Sequence, residues 1–212
     1  MNNAASISSN FWEFREPTPQ PNQDSDLLAK FNFVPGLKEI LLLRQVHALE
    51  HATVWVLSET AQSNFSSAGS KSSTAIDDES LGGLSTEAGF YLYGQVNPAH
   101  LRRAVMTALN RLRAGEWDLA LHPRCGTNLS VAIALTAAIF GTNVLLSPRE
   151  PLEQLIGLGV ATTTVSQLAP DLGTLAQKYL TTSIPFNLAV EDIYETYDFW
   201  GHPAYFVQVR WH

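Results

Sequence analysis

The chain has 212 residues, a length that suits one domain with a sizeable core and some appendages. Its net charge of −7 and its pI of about 5.3 exclude the basic surface that most nucleic-acid-binding proteins carry. The single cysteine excludes an intrachain disulfide. Charged residues make up only 16% of the chain, against about 25% in ordinary soluble domains, so long uncharged segments are expected.

The N-terminal third predicts a tail, a long helix and a loop. Residues 1–34 begin with a polar stretch rich in Pro, Asn and Gln, and we expect a disordered tail there. From Pro35 to about Ser58 the chain has apolar residues on most helical faces and no helix breaker, which predicts a long, largely buried helix. Residues 59–80 are rich in serine and predict a flexible loop.

A strand, a helix and a second strand are predicted next. GFYLYGQV (89–96) has the aromatic and β-branched content of a strand, and Asn97 with Pro98 forms a helix start. An apolar stripe at helical spacing follows: Leu101, Val105, Leu109 and Leu112. Gly115 ends this helix, and WDLALH (117–122) predicts the returning strand.

The most unusual segment has no charged residue over the 24 positions between Arg124 and Arg149. Its centre, 129–146, would be about 27 Å long as a helix, close to the ~30 Å of a bilayer core. A second uncharged run, 154–170, follows a tight turn. These features predict a two-helix transmembrane hairpin over 125–172. The alternatives are buried core helices of a soluble α/β protein, or a second segment that is re-entrant or lies in the membrane interface.

Arginines concentrate on the side of the chain that precedes the first uncharged run: Arg102, Arg103, Arg111, Arg113 and Arg124. The turn after that run has one arginine, which a glutamate offsets. Because cytoplasmic segments of membrane proteins carry the excess of basic residues, we expect the head and both termini to be cytoplasmic.

The C-terminal residues predict two strands, LAVEDIYET (188–196) and AYFVQVRW (204–211), that form a hairpin. We expect residues 173–212 to complete the sheet of a head that begins at 35–124. The predicted fold class is therefore α+β: a small α/β head with a mixed sheet, interrupted by the transmembrane hairpin.

The most specific chemical pattern is H-x-x-E-H at His47, Glu50 and His51. On a helix the two histidines share a face and can bind one metal ion, and the glutamate can act as general base. This is the inverted zinc-peptidase spacing. The alternative is a hydrogen-bonded polar patch on a buried helix.

A second candidate pair, His122 and Cys125, lies in the turn HPRCGTN before the first apolar helix. With His47 and His51 they would complete a closed, structural His3Cys zinc site; if only one of them binds, a position remains open for catalysis. Cys125 could instead be an activated thiolate with His122 as its base. Simple packing of both residues in a turn is the remaining alternative.

Three motifs together resemble a family: HALEHAT (47–53), GFYLYG (89–94) and HPRCGTN (122–128). With LAQKYLTTS (175–183), they make residues 37–212 similar to an uncharacterised domain-of-unknown-function family of short cyanobacterial membrane proteins. The resemblance implies an integral protein of the plasma or thylakoid membrane. It implies no activity.

Two functions follow as hypotheses. The first is a membrane protein with a zinc site at the junction of head and membrane, acting as a metal-dependent hydrolase. The second is a non-catalytic scaffold or assembly factor of a membrane complex, for example a photosynthetic one. The expected partners are membrane lipids and a membrane protein complex. Nucleotides are not expected, since the turn at Gly82 and Gly83 lacks the phosphate-loop lysine.

Overall fold

The computed structural model describes residues 18–66, 80–146 and 151–212. The elements in these ranges are the helices α1 (Gln23–Lys30), α2 (Leu37–Ser66), α3 (Pro98–Arg113), α4 (Gly126–Leu146) and α5 (Pro151–Ala176), and the strands β1 (Gly82–Thr86), β2 (Gly89–Tyr93), β3 (Leu188–Tyr197) and β4 (Pro203–Trp211). A 3-10 turn (Trp117–Ala120) precedes α4, and a π-helical turn (Gln177–Thr181) follows α5. The fold is α+β, as predicted.

The four strands form one antiparallel sheet in the order β1-β2-β4-β3. The predicted C-terminal hairpin is confirmed as β3 and β4, and β4 pairs with β2, so the end of the chain completes the head. The predicted mixed sheet is wrong, because every strand pair in the described residues is antiparallel. The GGLST segment, read as a turn, is instead the edge strand β1.

The predicted strand 117–122 is also wrong, because Trp117–Ala120 forms a 3-10 turn. A short apolar run cannot be assigned to strand or helix from its composition alone. Here Leu121 N–H donates to the Asp118 carbonyl and closes the turn, and buried Ala120 packs in the core. The segment therefore lies beside α2 without joining the sheet.

The core lies between the sheet and the helices α2 and α3. The predicted stripe on α3 is confirmed, since Leu101, Val105, Leu109 and Leu112 are all buried. Asn97 caps this helix as predicted, because its side-chain oxygen accepts the Ala99 N–H at 2.9 Å. From α2, the side chains of Val46, Leu49 and Val56 enter the same core, which fixes the face that α2 turns outward.

Helix α2 continues to Ser66, eight residues into the segment 59–80 that was expected to be a loop. Residues 59–66 contain neither proline nor glycine to end it, and Glu59 forms an ion pair with Arg111 at 2.6 Å. Residues 67–79 lie outside the described part of the chain.

Helix α1 lies within the stretch 1–34 that was expected to be a disordered tail. Its Asp24 is buried and accepts hydrogen bonds from Gln45 and Ser183, which tie α1 to the head. The polar composition of this segment concealed these contacts, because buried polar groups remain stable when they are hydrogen-bonded to one another. Residues 1–17 lie outside the described residues.

The two uncharged runs form α4 and α5, which pack against each other as an antiparallel pair. Asn128 near the start of α4 occupies the space where a Cβ on Gly173, near the end of α5, would lie. The helical hairpin is therefore confirmed.

Among the residues that the structure describes, no helix is both long enough and apolar enough to cross a membrane. The transmembrane nature of the predicted hairpin is thus not supported.

Candidate metal centre

Helix α2 places His47 and His51 on the same face, as the spacing predicted, with ring centroids 4.3 Å apart and planes 60° apart. His47 is partly buried and His51 is buried. The opposite face of α2 packs into the core, so the helix presents both rings on its other side.

Backbone carbonyls orient both imidazoles. Nδ1 of His51 lies 2.7 Å from the Ala120 oxygen, and Nδ1 of His47 lies 3.0 Å from the Thr181 oxygen. A carbonyl oxygen only accepts, so each Nδ1 carries the proton and donates. In a neutral ring each Nε2 then presents its lone pair, the arrangement that histidine ligands of metal ions usually have, whereas in a protonated ring Nε2 donates instead.

Cys125 enters the cluster from the turn before α4. Its Sγ lies 3.2 Å from His47 Nε2 and accepts the Thr127 N–H at 3.4 Å. Burial raises the pKa of the Cys125 thiol, but the hydrogen bond and charge of His51, together with Thr127, outweigh it, so the pKa lies below its ordinary value. The shift increases the share of thiolate, which is the form of cysteine that binds metals.

Ligand atoms of His47, His51 and Cys125 all lie within 4.8 Å of one another, and among the described residues they form the candidate metal-binding group. Bonds of about 2.0 Å to nitrogen and 2.3 Å to sulfur put the two atoms ~3.5 Å apart around tetrahedral zinc. The 3.2 Å separation of His47 Nε2 and Cys125 Sγ is close to that value. His47 and Cys125 are therefore spaced for one zinc ion, and a ligand atom of His51 lies within 4.8 Å of both.

Glu50 lies next to the histidines and is buried. Burial raises the pKa of Glu50 above its ordinary value, although the hydrogen bond from Ser85 and the charge of His47 oppose the shift. Gly83 on β1 packs against the carboxylate so closely that a Cβ there would overlap it. Burial therefore makes Glu50 hold a proton more readily than an exposed glutamate does, a property that suits a general base.

A cavity of about 590 Å³ opens over these residues, between α2, β1 and the start of α4. The three candidate ligands and Glu50 all line it. The cluster therefore borders a space that is large enough for a small molecule.

His122 lies beside the cluster, outside the group of converging ligands. Its ring is 5.6 Å from that of His51 and 5.0 Å from that of Trp55, measured between centroids. The His122 N–H donates to Gln177 at 2.9 Å. Among the described residues, the converging ligand atoms belong to His47, His51 and Cys125, and His122 is not one of them, so the fourth member of the His3Cys set lies beside the group.

Sequence reasoning missed the residues that hold the cysteine turn. Gln177 is buried, accepts the His122 N–H and donates to Asn128 Oδ1 at 2.7 Å. The Asn128 side chain in turn donates to the Pro123 carbonyl at 2.8 Å. The segment 175–183 contributed to the resemblance, but nothing local to the sequence indicated that its glutamine reaches this turn.

The chain is similar to proteins whose function is not known. Residues 42–193 match the domain-of-unknown-function family DUF6391. An uncharacterised protein of Picosynechococcus sp. (strain ATCC 27264 / PCC 7002 / PR-6) is 50% identical over 203 residues, which cover 95% of each chain. No solved structure matches. These matches confirm the resemblance to an uncharacterised family with a cyanobacterial member, and this chain belongs to the DUF6391 family.

Proposed function

We propose that this protein is a zinc-dependent hydrolase whose apolar helical hairpin is embedded in a membrane. His47, His51 and Cys125 hold the metal, and Glu50 is the general base. The observation that carries the proposal is the convergence of these three side chains beside a buried carboxyl group on the floor of an accessible cavity.

A catalytic zinc site usually has three protein ligands and one open position, whereas a structural zinc site has four protein ligands. When bound, zinc supplies a Lewis acid that polarises a carbonyl group and acidifies water. Glu50 can accept the proton of the attacking water on its carboxylate and deliver it to the leaving group. Ser85 holds the Glu50 carboxylate by its hydroxyl, so the base has a defined position.

The membrane part of the proposal is supported by the surface of α4 and α5. The exposed residues of this pair include large aliphatic and aromatic side chains: Leu129, Ile133, Phe140, Leu155, Ile156, Leu158, Val160 and Leu168. Several hydroxyl groups donate to the carbonyl four residues earlier in their own helix: Ser130, Thr136, Thr142, Thr162, Thr163, Thr164 and Thr174. Hydroxyl donors that are satisfied within their own helix suit a lipid environment.

The orientation of the protein is part of the same proposal. The head carries the arginines that precede α4, and a basic excess favours the cytoplasmic side of a plasma or thylakoid membrane.

A second function rests on the same cysteine. Cys125 Sγ lies 3.2 Å from His47 Nε2 and accepts an N–H at the start of α4, so it could act as a nucleophile with His47 as its base. In that case the protein would contain no metal, and alkylation of Cys125 would abolish the activity.

Metal analysis of the full chain, purified in detergent, tests the proposal. We expect about one zinc per wild-type chain, and little zinc in His47→Ala, His51→Ala and Cys125→Ser. His100→Ala, at an exposed histidine on α3, is the control and should retain the metal. Negligible zinc in the wild type, with rapid alkylation of Cys125, would replace the zinc mechanism by the thiol mechanism.

Glu50→Gln separates metal binding from catalysis. Because Glu50 is not among the ligands, the variant should keep its zinc and lose at least ~100-fold in the hydrolysis of activated esters or amides, the usual contribution of a general base. Zinc binding without hydrolysis in the wild type would support the scaffold function instead.

A further inference from the structure

The mouth of the cavity has an apolar side, which stands beside two arginines that also line the cavity, Arg44 and Arg124. Four aliphatic side chains line it and remain exposed: Ile40 (55%), Leu43 (40%), Leu84 (37%) and Leu180 (70%). They come from α2, β1 and the π-helical turn, three elements that are distant in sequence. Aliphatic groups from separate elements therefore surround one opening.

This apolar mouth adjoins the apolar surface of the hairpin. The Thr127 and Thr181 hydroxyls lie 3.1 Å apart and connect the start of α4 with the turn that carries Leu180. Leu129 and Ile133 are exposed within the first two turns of α4. An apolar molecule in the membrane would thus meet apolar side chains on its way to the candidate ligands.

We propose that the substrate is an acyl ester or acyl amide with an aliphatic chain, which lies in this mouth while its carbonyl group reaches the metal. The inference rests on the proposed zinc centre and adds the substrate class. In the reaction, water forms a C–O bond to the acyl carbon and the bond between acyl carbon and leaving group breaks. The proton from water passes through Glu50 to the leaving group, so no oxidant or reductant is needed.

The physical reason is the burial of apolar area. A methylene group removed from water contributes about 0.8 kcal/mol when it is fully buried, which corresponds to about fourfold in affinity. A small polar substrate would gain nothing from the four aliphatic side chains. A chain of several carbons would cover them.

Binding of alkyl hydroxamates to the full chain, loaded with Co²⁺ in detergent micelles, tests the inference. The hydroxamate group binds the metal and shifts the Co²⁺ absorption bands, and the alkyl series runs from acetyl to dodecanoyl. We expect the dissociation constant to fall about two- to fourfold per methylene over the first several carbons.

Variants of the cavity mouth show whether the alkyl chain binds to the protein or only partitions into the micelle. Leu43→Ser and Leu180→Ser should each weaken decanoyl hydroxamate at least fivefold and leave acetohydroxamate unchanged, which also shows that the site is folded. Leu168→Ser, at an exposed leucine on α5 that does not line the cavity, should bind like the wild type.

Each of the other outcomes contradicts a specific part of the proposal. If Co²⁺ does not bind, the zinc proposal falls and the substrate class with it. If acetohydroxamate binds but Leu43→Ser and Leu180→Ser bind the decanoyl compound like the wild type, the metal centre stands and the acyl chain is wrong. A peptidyl hydroxamate that binds more tightly than every alkyl compound would identify a polypeptide substrate.

Discussion

At the scale of single residues, the candidate centre depends on close packing around Glu50. The carboxylate is buried, accepts a hydrogen bond from Ser85 and touches the backbone of Gly83. A glycine at position 83 leaves the space that this arrangement needs. At position 82, by contrast, a Cβ would lie 3.9 Å from the Tyr93 ring, which is an ordinary van der Waals contact. The two glycines therefore have different roles despite their adjacency.

Gly83→Ala should displace Glu50 and destabilise the protein by about 1–3 kcal/mol, the usual cost of overpacking a buried site. Gly82→Ala is the matched control and should change stability by much less. Thermal unfolding followed by circular dichroism measures both. Equal stability of the two variants would contradict the packing shown around Glu50.

Gln177→Leu should loosen the turn that carries Cys125. The substitution removes the acceptor of the His122 N–H and the donor to Asn128, and each buried group left unsatisfied costs about 1–3 kcal/mol. We expect lower stability and weaker metal binding, measured by urea unfolding and by metal titration. Gln167→Leu, at an exposed position of α5, should change neither.

At the scale of elements, the turn between β3 and β4 is held by one carboxylate. Asp198 accepts hydrogen bonds from the N–H groups of Trp200 and His202 and from the Tyr93 hydroxyl, at 2.8–2.9 Å. Burial raises the pKa of Asp198, but these hydrogen bonds lower it more, from 3.8 to about 2. The turn thereby connects the C-terminal hairpin to β2.

This shift predicts how the stability of the protein depends on pH. Because the pKa of Asp198 is lower in the folded state, its contribution is fully present above about pH 4 and is lost as the pH falls towards 2. The stability difference between wild type and Asp198→Ala should therefore shrink between pH 4 and pH 2. Unfolding curves at several pH values measure it, and a difference independent of pH would refute this role. Asp171→Ala on α5 serves as the control for an exposed carboxylate.

At the scale of the whole molecule, a polar head with a buried core carries a helical pair with an exposed apolar surface. The core residues belong to α2, α3 and the sheet, whereas many large side chains of α4 and α5 are exposed. Apolar surface of this extent on a protein marks a contact with lipid or with another protein.

Substitutions that place charged residues on the hairpin test whether its apolar surface contacts lipid or another protein. We expect wild-type protein to stay with membranes during alkaline carbonate extraction. The double variant Ile133→Arg, Ile156→Arg should be released. Each arginine in the hydrocarbon core of the bilayer raises the free energy of insertion by about 2.5–3.5 kcal/mol. Met106→Arg, at an exposed apolar position of α3 in the head, should stay with the membrane. Release of the wild type itself would contradict membrane insertion.

The sequence by itself determined what depends on local periodicity. The 3.6-residue repeat and the caps define α3, strand-forming residues define β2, β3 and β4, and the absence of charge defines the hairpin of α4 and α5. The spacing of four residues alone puts His47 and His51 on one face of α2.

Only the tertiary structure decided which distant groups meet. Cys125 is 78 residues from His47 in the chain and still lies beside it, whereas His122 turns towards Trp55. The antiparallel sheet, the 3-10 turn and the buried Gln177 were hidden for the same reason. Such contacts depend on how separate elements pack around one core, and no local pattern of residues encodes that geometry.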